Sequence, residues 1–144
     1  MKKIEIDTFL KFRFLSNPHF SPDGTKIAFT VSVPDRETNG YLSDLYLYDL
    51  GKKTVSRVTC SGDAKTWSWT AENTLIFTAA RTAALKKEKE NGTSFFYEIS
   101  PSGGEASCRA SVPASVTGIR LLPDRRYLLT IRHDNYKDTR KKSY

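Results

Sequence analysis

The stretch His19–Thr30, "HFSPDGTKIAFT", constrains the fold of this chain most, because it recurs. Pro22 presets φ near −65° and suits the second position of a tight turn. Asp23 can cap that turn with its own side chain. Gly24 can take a positive φ at little steric cost. Beyond the turn, Ile27, Phe29, Val31 and Val33 alternate with Ala28, Thr30 and Ser32. A period of two predicts a strand.

A second strand is expected over "DLYLYDL", Asp44–Leu50, with Leu45 and Leu47 on one face and Tyr46 and Tyr48 on the other. Gly51-Lys52-Lys53 provides a hairpin turn, and "TVSRVT", Thr54–Thr59, a third strand. The pattern then restarts. "WTAENTLIFT", Trp69–Thr78, sets Trp69 under Phe20, Glu72 under Asp23, Asn73 under Gly24 and Phe77 under Phe29. Asn is the best non-glycine residue for a positive φ, so the turn survives the exchange. "SFFYEIS", Ser94–Ser100, takes the place of "DLYLYDL", and Ser102-Gly103-Gly104 supplies its hairpin turn before a strand beginning at Glu105–Cys108. A third copy, "LLPDRRYLLTI" from Leu121, keeps Pro123-Asp124 but has Arg125 where Gly24 stood.

Phe29 to Phe77 is a step of about 48 residues and Phe77 to Leu129 about 52. Repeats of roughly 40–50 residues with several strands each signal propeller blades. The expected fold is all-β: an incomplete β-propeller of about two and a half blades of antiparallel sheet, with a short N-terminal helix or arm. The expected divisions are the arm over residues 1–18, a first blade over 19–65, a second over 66–115 and the cut-short start of a third over 116–144. A closed propeller takes about four blades or more. The sequence is therefore expected to be a piece of a longer protein. Its exposed blade edges and faces should favour self-association or a partner.

Two segments interrupt the repeat. "PDRETNGYLS", Pro34–Ser43, is polar, with a turn at Asn39-Gly40. "RTAALKKEKENGT", Arg81–Thr93, favours a solvated helix ending at Asn91-Gly92, or an extended hairpin tip. Each is either a loop lining an entrance or touching another domain, or a tolerated surface insertion. The N-terminal "IEIDTFLKFRFLSNP" has too many apolar residues to leave in water. It suits a short helix from Asp7 or an extended arm.

Composition matters mainly for what it excludes. The net charge is +7 and the pI about 9.5, which raises the question of nucleic acid. The cations crowd into Lys86–Lys89 and the last twenty residues, including Lys137, Arg140, Lys141 and Lys142, without interleaved aromatic rings. Stacking platforms need that interleaving, so no nucleic-acid partner is expected. No run approaches the ~20 apolar residues of a membrane span, so no membrane partner is expected. Ile4-Glu5-Ile6-Asp7 breaks any leader core after Met1-Lys2-Lys3, which points to the cytoplasm. Cys60 and Cys108 are expected to be free, inert thiols, and two cysteines cannot make a four-ligand zinc site.

No residue announces chemistry. There is no G-x-S-x-G, H-E-x-x-H, P-loop or G-x-G-x-x-G. His19 sits beside the first turn, and His133-Asp134 are chain neighbours, an arrangement unlike a triad. Asp35, Glu37, Asp44 and Asp49 are accounted for by turns and strand ends. Trp67 and Trp69 could form a recognition surface, but blade packing explains them as well. No catalytic, cofactor or metal-ligating residue is expected.

The order "LSNPHFSPDGTKIAFTVS", the polar insertion, "SDLYLYDL", "RVT" and "WSWT" resembles the start of serine peptidases of the prolyl oligopeptidase family, in particular the acylaminoacyl-peptidase-type branch. "ALKKEKENGTSFFYEI" also resembles that branch's second-blade insertion. The departures are "TAEN" and "LPDRR" in the second and third turns. The resemblance implies a propeller above a C-terminal α/β-hydrolase domain that carries Ser, Asp and His. The propeller would filter substrates by size and pass short or N-blocked peptides. None of the matching positions is catalytic, so this chain alone is expected to be inactive, with that hydrolase domain as its partner. The alternative is a non-enzymatic, TolB-like propeller that mediates protein–protein interaction. "SPDG…IAF" is shared with that type.

Overall fold

The computed structural model describes residues 6–132. A 3₁₀ helix, Ile6–Lys11, leads into strands β1 (Phe14–Phe20), β2 (Lys26–Asp35), β3 (Gly40–Asp49) and β4 (Thr54–Arg57). Then follow β5 (Trp67–Trp69), β6 (Leu75–Thr78), helix α1 (Ala83–Glu90), β7 (Ser94–Ile99) and β8 (Ser107–Val112). The last strands are β9 (Ser115–Leu121) and β10 (Tyr127–Arg132). They form three antiparallel sheets in chain order: β1-β2-β3-β4, β5-β6-β7-β8 and β9-β10. Two full blades and the start of a third are present, so the incomplete propeller expected from the sequence is the fold. His133-Asp134 and the basic residues from Lys137 to Lys142 lie outside the described residues.

The repeated turn is one hydrogen-bonded unit in all three copies. Gly24 N donates to Ser21 O (2.8 Å), Asn73 N to Thr70 O (3.2 Å) and Arg125 N to Leu122 O (3.0 Å). The residue after the anchor is met again across each hairpin: Ser21 N donates to Lys26 O, Thr70 N to Thr74 O and Leu122 N to Arg126 O. The pivots have φ of 69° at Gly24, 59° at Asn73 and 64° at Arg125. Arg125 therefore carries the steric cost that Gly24 avoids, about 1–2 kcal/mol in this region. Its ion pair with Glu72 spans 3.8 Å between two exposed side chains and offsets little of it. Replacing Arg125 with Gly is expected to raise stability by about 1 kcal/mol. A urea midpoint that rises at constant m-value would show it, and a midpoint that falls would refute it.

The turn lies inside each blade rather than at its start. It joins β1 to β2, β5 to β6 and β9 to β10. The N-terminal segment, expected as helix or arm, divides into the 3₁₀ helix and a strand, β1. That strand is exposed along its whole length, and a bulge between Ser16 and His19, with Asn17 at φ 56°, breaks its alternation.

Pro34–Ser43 is not an interruption. β2 runs to Asp35 and β3 starts at Gly40, with Pro34 opposite Tyr41 and Asp35 opposite Gly40, so the polar residues cap one long hairpin. Arg81–Thr93 contains the solvated helix: Thr82 Oγ1 accepts Leu85 N (3.2 Å) as the N-cap, and no α1 residue is buried. Gly92 follows its end at φ 92°.

The main core lies between the first two sheets. Ala28, Leu45 and Leu47 on one meet Trp67, Trp69, Leu75, Phe77, Phe95, Tyr97 and Ile99 on the other. On the far side of the first sheet, Phe29 stacks on Tyr46, with centroids 6.1 Å apart and planes at 29°. The second sheet repeats the pair as Phe77 and Tyr97, at 6.1 Å and 30°. This corrects one register. Ser94–Ser100 corresponds to Ser43–Asp49, one residue earlier than the sequence pairing with Asp44–Leu50, because Phe77 faces Tyr97 as Phe29 faces Tyr46. The first blade thus has an aromatic face and a face of Ala28, Thr30, Leu45 and Leu47, while in the second Phe77 and Tyr97 share one face and Thr78 and Phe96 the other. Blade 1 covers the Phe77–Tyr97 face of blade 2, while its own aromatic face is left open.

Candidate functional site

The acidic residues singled out from the sequence divide into those that hold turns and Asp44, with Glu37 exposed at the β2–β3 tip. Asp35 and Asp49 hold turns: Asp35 accepts Thr38 N (3.1 Å), and Asp49 accepts Gly51 N (3.0 Å) and Lys52 N (2.9 Å). The Thr38 hydroxyl lowers the Asp35 carboxyl from its ordinary range, and the Lys52 N–H does so for Asp49. Asp23 does the same in the repeated turn. The hydroxyl of Ser21 and the N–H and hydroxyl of Thr25 bring its carboxyl down to about 2.

Asp44 departs from the turn-and-strand-end account. It sits within β3, 6% exposed, with Arg57 Nη2 at 2.6 Å, Thr59 Oγ1 at 2.9 Å and Gly62 N at 3.1 Å. Its salt bridge raises the Arg57 guanidinium further above its already high range. Asp44 thereby fixes the link between blades. Ser43 N donates to Gly62 O and Ala64 N to Ser43 O, while Asp63 Oδ2 accepts Ala80 N (2.8 Å) from the second blade. Ser94, at the position equivalent to Ser43, holds the next link: its Oγ donates to Ala114 O and accepts Val116 N.

Trp67 and Trp69 are packing residues with a further task. Both are nearly inaccessible, and both indole N–H groups reach into the first blade. Trp67 Nε1 donates to Thr30 Oγ1 (2.9 Å) and Trp69 Nε1 to His19 O (3.1 Å). His19 lies edge-on to the Trp67 ring at 5.7 Å. Cys60 and Cys108 are free and exposed. Among the described residues no cluster of histidine, cysteine or carboxylate side chains could hold a metal ion.

The wall formed by the first strands of the three sheets was not foreseen. β1, β5 and β9 lie side by side around a cavity of about 460 Å³, with His19 and Phe20 from β1, Trp67 and Trp69 from β5, and Arg120 and Leu121 from β9. Phe20 is 63% exposed although apolar. At the turn end the blades are joined by their repeated turns: Asp23 N donates to Asn73 Oδ1 (3.0 Å), and Glu72 meets Arg125. A single strand's sequence carries no sign of this wall, which exists only once three blades are set beside one another.

No family model matches the chain. A curated relative, "Uncharacterized peptidase YuxL" of Bacillus subtilis (strain 168), is 27% identical over 128 residues, or 86% of this chain and 18% of its own length. The chain therefore spans about a fifth of that relative. Among solved structures, an acylaminoacyl peptidase in complex with Z-Gly-Gly-Phe-chloromethyl ketone superposes with a TM-score of 0.66 and 17% identity, over 92% of this chain and 20% of that one. The Pyrococcus horikoshii acylaminoacyl peptidase gives 0.65 and 17%, over 92% and 19%. The β-propeller domain of the Trilobed protease from Pyrococcus furiosus gives 0.59 and 15%, over 84% and 34%. The resemblance carried by the sequence motifs is met in the fold.

Proposed function

We propose that this chain is propeller wall in a cytoplasmic serine peptidase of the prolyl oligopeptidase family, on its acylaminoacyl-peptidase-like branch. The similarity to a peptidase over 86% of the chain carries the reading, and the propellers of two acylaminoacyl peptidases support it. The wall limits which peptides reach the chemistry, so that short or N-blocked peptides enter and folded proteins do not. A C-terminal α/β-hydrolase domain supplies the nucleophile, and this chain by itself hydrolyses nothing. Free, exposed Cys60 and Cys108 suit a reducing compartment. The open Phe29–Tyr46 face gives the chain by itself an apolar surface for self-association.

The complete gene product tests this. It should take a fluorophosphonate label on one serine and hydrolyse N-acetyl-alanine p-nitroanilide, while leaving folded proteins intact. If it takes no label and cleaves no blocked substrate, the peptidase reading is wrong.

A further inference from the structure

We propose that the cavity between β1, β5 and β9 binds the apolar, carboxylate-bearing end of a short peptide, with the Arg120 guanidinium as its anchor. The inference rests on the peptidase reading for the choice of a peptide. The chemistry of the ligand comes from the cavity itself. Apolar Phe20, Ile119 and Leu121 and the nearly buried Trp67 and Trp69 form its walls together with polar Asn17, His19 and Ser68. Arg120 is the one permanent charge on them, and no carboxylate lines the space. Among the described residues the Arg120 guanidinium has no acid within ion-pair distance, whereas Arg125 and Arg126 of the same hairpin each meet one. An unpaired guanidinium beside apolar rings recognises a carboxylate by a two-pronged, charge-assisted hydrogen bond. At about 460 Å³ the cavity has the size of a small-molecule site. One end residue or two would fill it.

The rings hold their positions without a ligand. Trp67 and Trp69 are fixed by the bonds to Thr30 and His19, so little side-chain freedom is lost on binding. Asn17, held at φ 56° in the bulge of β1, adds an amide to the same wall. That amide can bond a peptide's last N–H or C=O.

Trp67 and Trp69 are the only two tryptophans, so intrinsic fluorescence reports on this wall directly. The 144-residue chain is titrated with Gly-Gly-Phe, with its C-terminal amide and with octanoate. A saturable change with the free acid is expected, at least tenfold weaker with the amide and with octanoate. Arg120→Gln is expected to weaken the acid at least tenfold and leave the amide unaffected, and Arg120→Lys to restore part of the loss. Equal affinity for acid and amide overturns the anchor, and so does no binding at all. Octanoate bound as tightly as the peptide overturns the peptide assignment. The acid–amide comparison uses the unaltered chain, so it stands even if a variant misfolds. Serine labelling of the complete protein is a separate readout, so either idea can fail alone.

Discussion

Replacing Phe77 with Ala is expected to lower stability by about 3–5 kcal/mol, the range for emptying a fully packed aromatic site. The ring is completely buried at the centre of the contact between the first two sheets. It lies against Tyr97 in its own sheet, within the cluster that includes Ala28 and Leu47 of the other. Blade 1 cannot collapse into the gap, because Trp67 and Trp69 pin it through their indole N–H groups. Phe29 is the control. It holds the same place in the first blade and stacks on Tyr46 in the same way, but its face is open. Phe29→Ala should therefore cost clearly less. Denaturant unfolding followed by tryptophan fluorescence compares the two. Equal losses would mean that blade packing does not set the stability of Phe77.

The second large effect is expected at Asp44. Asp44→Ala removes the acceptor for Arg57, Thr59 and Gly62 at once. Hydrogen bonds to a charged group contribute about 1.5–3 kcal/mol each, but the Arg57 end is half in water and its share is screened. A net loss of about 2–3 kcal/mol is expected, dominated by the buried Gly62 N–H and the Thr59 hydroxyl proton left without an acceptor, although the Thr59 oxygen keeps the Leu45 N–H. Asp44→Asn keeps the shape and an acceptor oxygen and should lose less. Hydrogen exchange gives the sharper check: the Gly62 and Ala64 amides should lose protection before the β6 and β7 amides do. If all exchange together, Asp44 is not what holds the link between blades.

Much of this was readable from the chain because the relevant physics is local. A positive φ is decided by one residue and its neighbours, so Gly24 and Asn73 mark the turn directly, and only Arg125 had to be placed by the repeat. Helix α1 was visible through its alanines and lysines and the glycine past its end. β1 was not visible. Its residues all face solvent, so it has no buried alternation, and Asn17-Pro18 and the bulge disturb what pattern remains. The polar tip of the β2–β3 hairpin hid its pairing for a related reason: backbone bonds, not apolar side chains, continue that ladder. The Asp44 network and the β1–β5–β9 wall join residues far apart in sequence. Asp44 reads as an ordinary strand-end acid until Gly62 folds over it, and Arg120 as an ordinary surface cation until β9 is set beside β5.

The contact between an aromatic face and a face of smaller residues also gives the assembly a direction of travel. Each blade offers a different surface clockwise and anticlockwise, so neighbours join head to tail and no blade is its own complement. Reversing the first blade would set the Phe29–Tyr46 rings against those of Phe77 and Tyr97. Cutting the chain at one linker and rejoining it elsewhere would leave every neighbour relation unchanged. The direction in which one blade follows another is therefore encoded in their faces, and the peptide linkers decide which blade comes next.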